Sequence, residues 1–157
     1  MFKGHENSIM HSAKLVGTNT SLPSGSNIAI DLNDTTDPTY RDPFGLRTSN
    51  TQVTIKSPGL YTLVGCTLFN PPASSGATVG SWRSIALNKN AAQLRLTRMR
   101  PNLDGNFSGC ISVVYHEEFI QGDVLTLVAR YQGSGTISAG GGPYTFLALQ
   151  QVTKELS

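Results

Sequence analysis

Charged residues are scarce in this chain: 12 Lys and Arg and 10 Asp and Glu make up 14% of its 157 residues, against about a quarter in an ordinary soluble domain. The resulting net charge of +2 is too small to indicate nucleic-acid binding by itself. No apolar run has the length that crosses a membrane, and the first residues lack the apolar stretch of a secretory signal. We therefore expect neither nucleic acid nor a membrane as a partner, and we expect a chain made in a reducing cytoplasm.

Cysteine is also rare, since only Cys66 and Cys110 are present. Each lies inside an apolar, strand-like run, and neither has a second Cys or a His at the spacing of a metal site. The sequence therefore predicts two buried free thiols. A disulfide between them is the open alternative, because spacing alone does not decide it.

Helix signals are almost absent, whereas strand signals recur along the chain. The strand-like runs, separated by clusters of Gly, Pro, Asn and Ser, are 14–16, 27–32, 51–56, 60–69, 82–87, 91–100, 110–115, 123–131 and 144–152. Short strands at such spacing are typical of a β-sandwich or jelly roll. We predict an all-β domain of about eight to ten antiparallel strands over residues 13–157. Residues 1–12 are read as an N-terminal arm, and residues 133–138 and 139–143 as loops.

No motif predicts catalysis or a cofactor. A G-x-S-x-G nucleophile motif is missing, and the G-x-G within residues 133–138 is not followed by a helix that could bind phosphate. The sequence 116–118 (HEE) has no second histidine at zinc spacing and is read as a polar strand end. We expect a protein that is not an enzyme and holds neither cofactor nor metal.

One acidic segment leaves an alternative open. Asp31, Asn33 and Asp42 are spaced somewhat like the ligands of a calcium loop, but Thr36 stands where such a loop needs Gly. Clusters of Asp and Asn are also common in the turns between strands. A solvated loop is the favoured reading, and a cation site is the alternative.

Four segments together resemble one family: residues 53–63 (VTIKSPGLYTL), 81–90 (SWRSIALNKN), 119–127 (FIQGDVLTL) and 142–149 (GPYTFLAL). Their order and spacing are similar to the strand motifs of the C1q/TNF-like jelly roll, in particular the short versions in bacteriophage structural proteins. The resemblance extends from about Ala13 to Val152. It implies a C1q/TNF-like jelly roll that forms a homotrimer, with aromatic residues along a threefold axis. The residues predicted for that trimer interface are Tyr61, Tyr131, Phe146 and Ala148.

The resemblance and the absence of a stalk, a coiled coil or a signal peptide favour a virion structural protein. The expected role is a trimeric capsid decoration or cement protein that binds the major capsid protein and is located on the capsid surface after assembly in the host cytoplasm. The residues predicted to contact the capsid are Phe2, Ile9 and Met10 of the arm and the cluster Arg95, Arg98 and Arg100. Arginine suits such a contact because its planar fork pairs with carboxylates.

The main alternative is a receptor- or glycan-binding module of a phage tail fibre or spike. In that case the segments 71–80 and 134–142 would face the ligand. A secreted C1q-like module is a further alternative, which the missing signal peptide disfavours.

Overall fold

In the computed structural model, which describes residues 9–70, 81–99 and 109–154, two antiparallel sheets pack face to face. None of these residues is helical, so the described chain contains no helix that is long and apolar enough to span a membrane. The strands are β1 (Ser12–Gly17), β2 (Thr20–Pro23), β3 (Asn27–Ala29), β4 (Val53–Thr54), β5 (Gly59–Asn70), β6 (Trp82–Lys89), β7 (Ala92–Met99), β8 (Gly109–Phe119), β9 (Val124–Gln132), β10 (Thr136–Ala139) and β11 (Gly142–Lys154).

The strands divide into two layers. Sheet A has the order β1-β11-β5-β10-β2, and β8 pairs with the other side of β5. Sheet B has the order β3-β9-β6-β7, and β4 also pairs with β9. This arrangement confirms the predicted all-β, antiparallel jelly-roll sandwich.

The core forms because successive side chains of the long strands point alternately into the sandwich and out of it. Along β5 the odd-numbered side chains, among them Tyr61, Leu63 and Phe69, are buried, and the even-numbered ones are half-buried on the outside. Strand β9 does the same from the other layer, where Leu127 and Tyr131 are fully buried. Each large apolar side chain buried in this way contributes about 1.5–3 kcal/mol, so the two inward faces hold the sheets together.

One glycine sets how closely the sheets approach. Gly65 lies on the inward side of β5, and a Cβ atom there would come within 2.7 Å of Leu127 Cδ1 and 3.1 Å of Val113 Cγ1. Both distances are shorter than ordinary carbon contacts of about 3.5–4.0 Å. The missing side chain therefore leaves room for the leucine of sheet B.

A polar network closes one end of the sandwich. The β6–β7 turn places Asn90 and Ala91 at φ of 50° and 67°, as a type I′ hairpin turn requires. Asn90 Nδ2 donates to Asp123 Oδ1 at 2.7 Å, and the N–H of Ile120 donates to Asp123 Oδ2 at 3.0 Å. Lys89 Nζ lies 3.3 Å from that same oxygen. Asp123 thus ties the β6–β7 turn to the β8–β9 turn.

Several sequence-based bounds are corrected by the structure. Strand β10 lies across the boundary of the two predicted loops, 133–138 and 139–143. Its Ile137 and Ala139 are buried, and it pairs with β2. Strand β2 itself was not predicted. Strands β3 and β4 are shorter than the runs 27–32 and 51–56, because Ile30 and Ile55 leave the ladder although both stay fully buried.

Candidate functional site

The outer face of sheet A carries exposed apolar side chains. Val114 of β8 and Tyr144 of β11 are 55% and 62% exposed. Between and beside them lie half-buried side chains of the same face: Val64, Cys66, Leu68, Phe146 and Ala148. We call this surface face A. Contiguous apolar surface of this kind marks a contact site, because its exposure to water is unfavourable.

The strand register makes face A continuous. Lys14, Ala148, Val64 and Val114 stand opposite one another across β1, β11, β5 and β8. In the neighbouring row Phe146 is opposite Cys66. Residues in register project to the same side of a sheet, so each row is a line of side chains that crosses four strands.

Face A has two parts of different shape and charge. Over β1, β11 and β5 there is a shallow depression of about 420 Å³, whose rim includes Lys14 and Arg41. At the other side, the exposed residues of β8 on this face include Val114, His116 and Glu118. The depression is therefore rimmed by cations, and the edge strand carries an exposed carboxylate, that of Glu118, four residues along from its exposed valine.

Of the four residues predicted for the trimer interface, Phe146 and Ala148 lie on face A, half-buried in the single subunit. Tyr61 and Tyr131 do not, which corrects the prediction for both. Their side chains are fully enclosed by their own subunit. The Tyr61 hydroxyl donates to the carbonyl of Ser57 at 2.7 Å, and burial raises its pKa to about 12. The Tyr131 hydroxyl donates to the carbonyl of Ser134 at 3.1 Å.

The two cysteines are free thiols, but they are not both buried. Cys66 is half-buried and Cys110 is exposed, because both lie on the outer face of sheet A and β8 is its edge strand. The register pairs Cys66 with Ser112 and Cys110 with Leu68, so the thiols are diagonal neighbours. Burial, and then the nearby Cys110 thiol, raises the pKa of Cys66 to about 11.

The acidic segment, residues 31–42, contains aspartates whose carboxylates accept hydrogen bonds from nearby backbone N–H groups, as in turns. The Asp42 carboxylate accepts the N–H groups of Leu46 at 2.7 Å and Arg47 at 3.0 Å. Asp37 accepts the N–H and the hydroxyl of Thr39, and the hydroxyl is the main cause of the lowered pKa of this aspartate. In residues 9–70, 81–99 and 109–154, no three His, Cys, Asp or Glu side chains are grouped so that they could hold a metal ion.

Four of the six residues predicted to contact the capsid lie in the described part of the chain. Phe2 and Arg100 lie outside the described residues. Ile9 and Met10 are exposed just before β1. Arg95 and Arg98 are exposed on β7, but the register pairs Arg95 with the buried Leu87 and Arg98 with Ser84, so they lie on opposite sides of the strand. Arg95 and Arg98 therefore do not belong to one surface patch.

Arg98 instead has neighbours that the sequence did not reveal. Its guanidinium carbon lies 4.1 Å from the centre of the Trp82 ring, and that of Arg130 lies 5.2 Å from the same ring. Trp82 and Arg98 are on paired strands, but Arg130 is distant in sequence and reaches the ring only through the pairing of β6 with β9. No local motif could have predicted this cluster.

For the tail-fibre alternative, one proposed ligand loop lies outside the described residues (71–80). The other, 134–142, is largely strand, since it includes β10 and the first residue of β11. That segment is thus part of sheet A.

No protein-family model and no curated protein matches the chain by sequence. Among solved structures, Eiger TNF from S. frugiperda has a TM-score of 0.65 and 14% identity, over 94% of this chain and 96% of that one. Murine APRIL at pH 5.0 has a TM-score of 0.62 and 17% identity, over 92% of this chain and 100% of that one. At such identities the likeness shows the fold, which is the C1q/TNF-like jelly roll.

Proposed function

We propose that this chain is a binding and structural protein rather than an enzyme, and that it acts as a homotrimer. Face A is the observation that carries the proposal. A sheet that is apolar on its inward side forms the core, but here part of the outward side is apolar as well. That part consists of Val64 and Leu68 of β5, Val114 of β8, and Tyr144 and Phe146 of β11. A second copy of the chain would remove that surface from water.

Charge and shape favour a ring over a two-fold dimer. The depression with Lys14 and Arg41 and the β8 edge with Glu118 are different parts of face A, and their charges are opposite. Contact between two different surfaces repeats head to tail and closes into a ring when the rotation allows it. Three copies that each place β8 into the next copy's depression bury all three apolar faces.

Val114→Lys tests the trimer. The substitution places an ammonium group in the middle of the apolar row, where Lys14 and Arg41 of the next copy would repel it, and burying it costs several kcal/mol per interface. Wild-type protein should have a mass of about 50 kDa by light scattering, three times its 16.8 kDa. The variant should be a folded monomer at micromolar concentration. The matched control is Leu96→Lys, at an apolar residue of sheet B that is 38% exposed, and this variant should leave the trimer intact.

Two results would overturn the trimer. Wild-type protein that stays monomeric at high concentration would show that face A is not a self-association surface. Equal loss of assembly in both variants would show that an added charge anywhere on the surface has the same effect. Circular dichroism of each variant separates failure to assemble from failure to fold.

Within this class we propose a bacteriophage capsid decoration protein that stabilises the shell of the major capsid protein. The support is the resemblance of residues 13–152 to the short phage jelly rolls and the symmetry of a trimer, which suits threefold positions on a shell. The exposed Ile9 and Met10, directly before β1, offer apolar anchors for a neighbouring capsid subunit. The location proposed is the virion surface.

Copy number per particle tests the virion role. A decoration protein should occur in numbers that match the threefold positions of the shell, whereas a handful of copies would indicate a tail component and overturn the proposal. Ile9→Ser with Met10→Ser should lower the occupancy of purified shells and leave the trimer unchanged in solution. Unchanged occupancy would contradict the role of the arm.

A further inference from the structure

A second surface lies on the outer face of sheet B, on the opposite side of the sandwich from face A. In the strand register Ser84 is paired with Arg98 on β7 and with Arg130 on β9. These three residues therefore project to the same side, and Trp82, two residues before the serine on β6, projects there too. We call Trp82, Arg98 and Arg130 the arginine–tryptophan cluster.

The cluster holds two positive charges around one aromatic ring. Distances of 4.1 Å and 5.2 Å from the ring centre are within the range of cation–π contact, which orients both guanidinium groups. Two like charges held near each other repel, so the arrangement is favourable only if something offsets the repulsion. The ring offsets part of it, and an anion between the two arginines would offset the rest.

Neither arginine has an acidic partner among the described residues. The ion pairs found there are those of Lys89 with Glu117 and Asp123. Arg130 donates one weak hydrogen bond, from Nη2 to Gln132 Oε1 at 3.4 Å, and its buried Nε–H has no acceptor in the described part of the chain. Guanidinium N–H groups are thus left to bond water or a ligand.

The charge of the whole sheet has one sign. The strands of sheet B carry cationic side chains and no Asp or Glu, whereas those of sheet A include Glu117 and Glu118. Of the cationic residues of sheet B, Arg83 is fully buried and Lys89 is ion-paired, which leaves Arg95, Arg98 and Arg130. Beside the cluster, the next row in register is apolar, with Leu96, Ala86 and Val128. The surface therefore offers guanidinium groups next to an apolar strip.

We propose that the arginine–tryptophan cluster binds the carboxylates of an acidic segment of a partner protein. Planar guanidinium groups match carboxylates bidentately, and the apolar strip suits the aliphatic stems of Glu side chains. Nucleic acid fits less well, because tight binding needs many phosphate contacts and aromatic rings that are open to bases. Here the net charge is only +2, and guanidinium groups lie against the only tryptophan. The proposal does not depend on the virion role.

The single tryptophan provides the assay. Because Trp82 is the only one in the chain, its fluorescence reports on the cluster alone. Titration with a hexaglutamate peptide at low salt should give a saturable change that weakens as salt is added. Hexaglutamine should give none. The Arg98→Gln and Arg130→Gln variants should each weaken binding at least tenfold, and Arg98→Lys should weaken it less than Arg98→Gln does.

Arg95→Gln is the matched control. It removes the same charge from the same strand, but from the side that is paired with Leu87. It should keep the wild-type affinity within about twofold. Equal weakening by Arg95→Gln and Arg98→Gln would show a response to net charge and overturn the proposal. An absence of saturable hexaglutamate binding would also overturn it. So would Arg98-dependent binding of oligothymidylate or inorganic phosphate that is tighter than the binding of hexaglutamate. Unfolding curves confirm that each variant is folded.

Discussion

Asp123→Ala removes the carboxylate that ties two turns together at one end of the sandwich. This side chain is 5% exposed and accepts hydrogen bonds from Asn90 and Ile120 beside an ion pair with Lys89. Hydrogen bonds to charged groups are worth about 1.5–3 kcal/mol each, and because these share one acceptor group we expect a combined loss of about 3 kcal/mol. For a chain of this length that loss corresponds to a fall in Tm of roughly 6–12 °C.

The loss should also depend on pH. Burial alone would raise the pKa of this carboxyl, but the hydrogen bonds from Asn90, Ile120 and Lys89 and the charge of the lysine lower it below its usual 3.8. A carboxyl with a lowered folded pKa stabilises the fold above its unfolded pKa and loses that contribution as the pH falls through the folded value. The gap between wild type and variant should therefore be complete near neutral pH and shrink below about pH 3.8.

Urea unfolding followed by circular dichroism, at one fixed subunit concentration, measures both effects. Asp34→Ala is the matched control, since that carboxylate accepts a single exposed hydrogen bond from Thr36 and its loss should stay within about 0.5 kcal/mol. A difference under about 1 kcal/mol for Asp123→Ala, or one that is constant from neutral pH to pH 3, would refute the reasoning.

Three further predictions concern the packing and the thiols. Gly65→Ala should destabilise the fold by about 1–3 kcal/mol in urea, because the new methyl group would press on Leu127; an unchanged midpoint would contradict that close approach. Tyr61→Phe should cost about 1 kcal/mol through the hydrogen bond to Ser57, and the spectrophotometric titration of the wild type should contain one phenol more near pH 12 than that of the variant. In a subunit kept monomeric by Val114→Lys, a thiol reagent should modify Cys110 before Cys66, and the trimer should protect both; equal rates in the monomer would argue against the raised pKa of Cys66.

The long strands β5 and β9 were predictable because they coincide with the long apolar runs 60–69 and 123–131. That each of them buries every second side chain is seen only in the structure. Strands β2 and β10 could not be predicted. Each is only four residues long, and they pair with each other although they are far apart in the sequence. Short strands are held by their partners more than by their own sequence.

The candidate surfaces were predictable only in part. The two-residue period put Phe146 and Ala148 on one side of β11, but a strand that is apolar on both faces does not reveal which face is inward. The family resemblance implied Tyr61 at the trimer interface, whereas its side chain lies in the core. The arginine–tryptophan cluster depends on the register between β6 and β9, which no local pattern encodes.

Strands β1 and β8 lie at opposite borders of sheet A, and their free backbone groups are covered to different extents. Backbone groups of Arg41 exchange two hydrogen bonds of 2.8 Å with Lys14, so a loop caps part of the β1 border. Among the described residues β5 is the only strand paired with β8, and the carbonyl of Glu118 on β8 also accepts a hydrogen bond from Lys89 Nζ at 2.8 Å. An edge strand of this kind can pair with another chain. Aggregation at high expression should therefore begin with strand pairing at β8. A variant with proline at a β8 position whose backbone N–H points away from β5 should resist fibre formation.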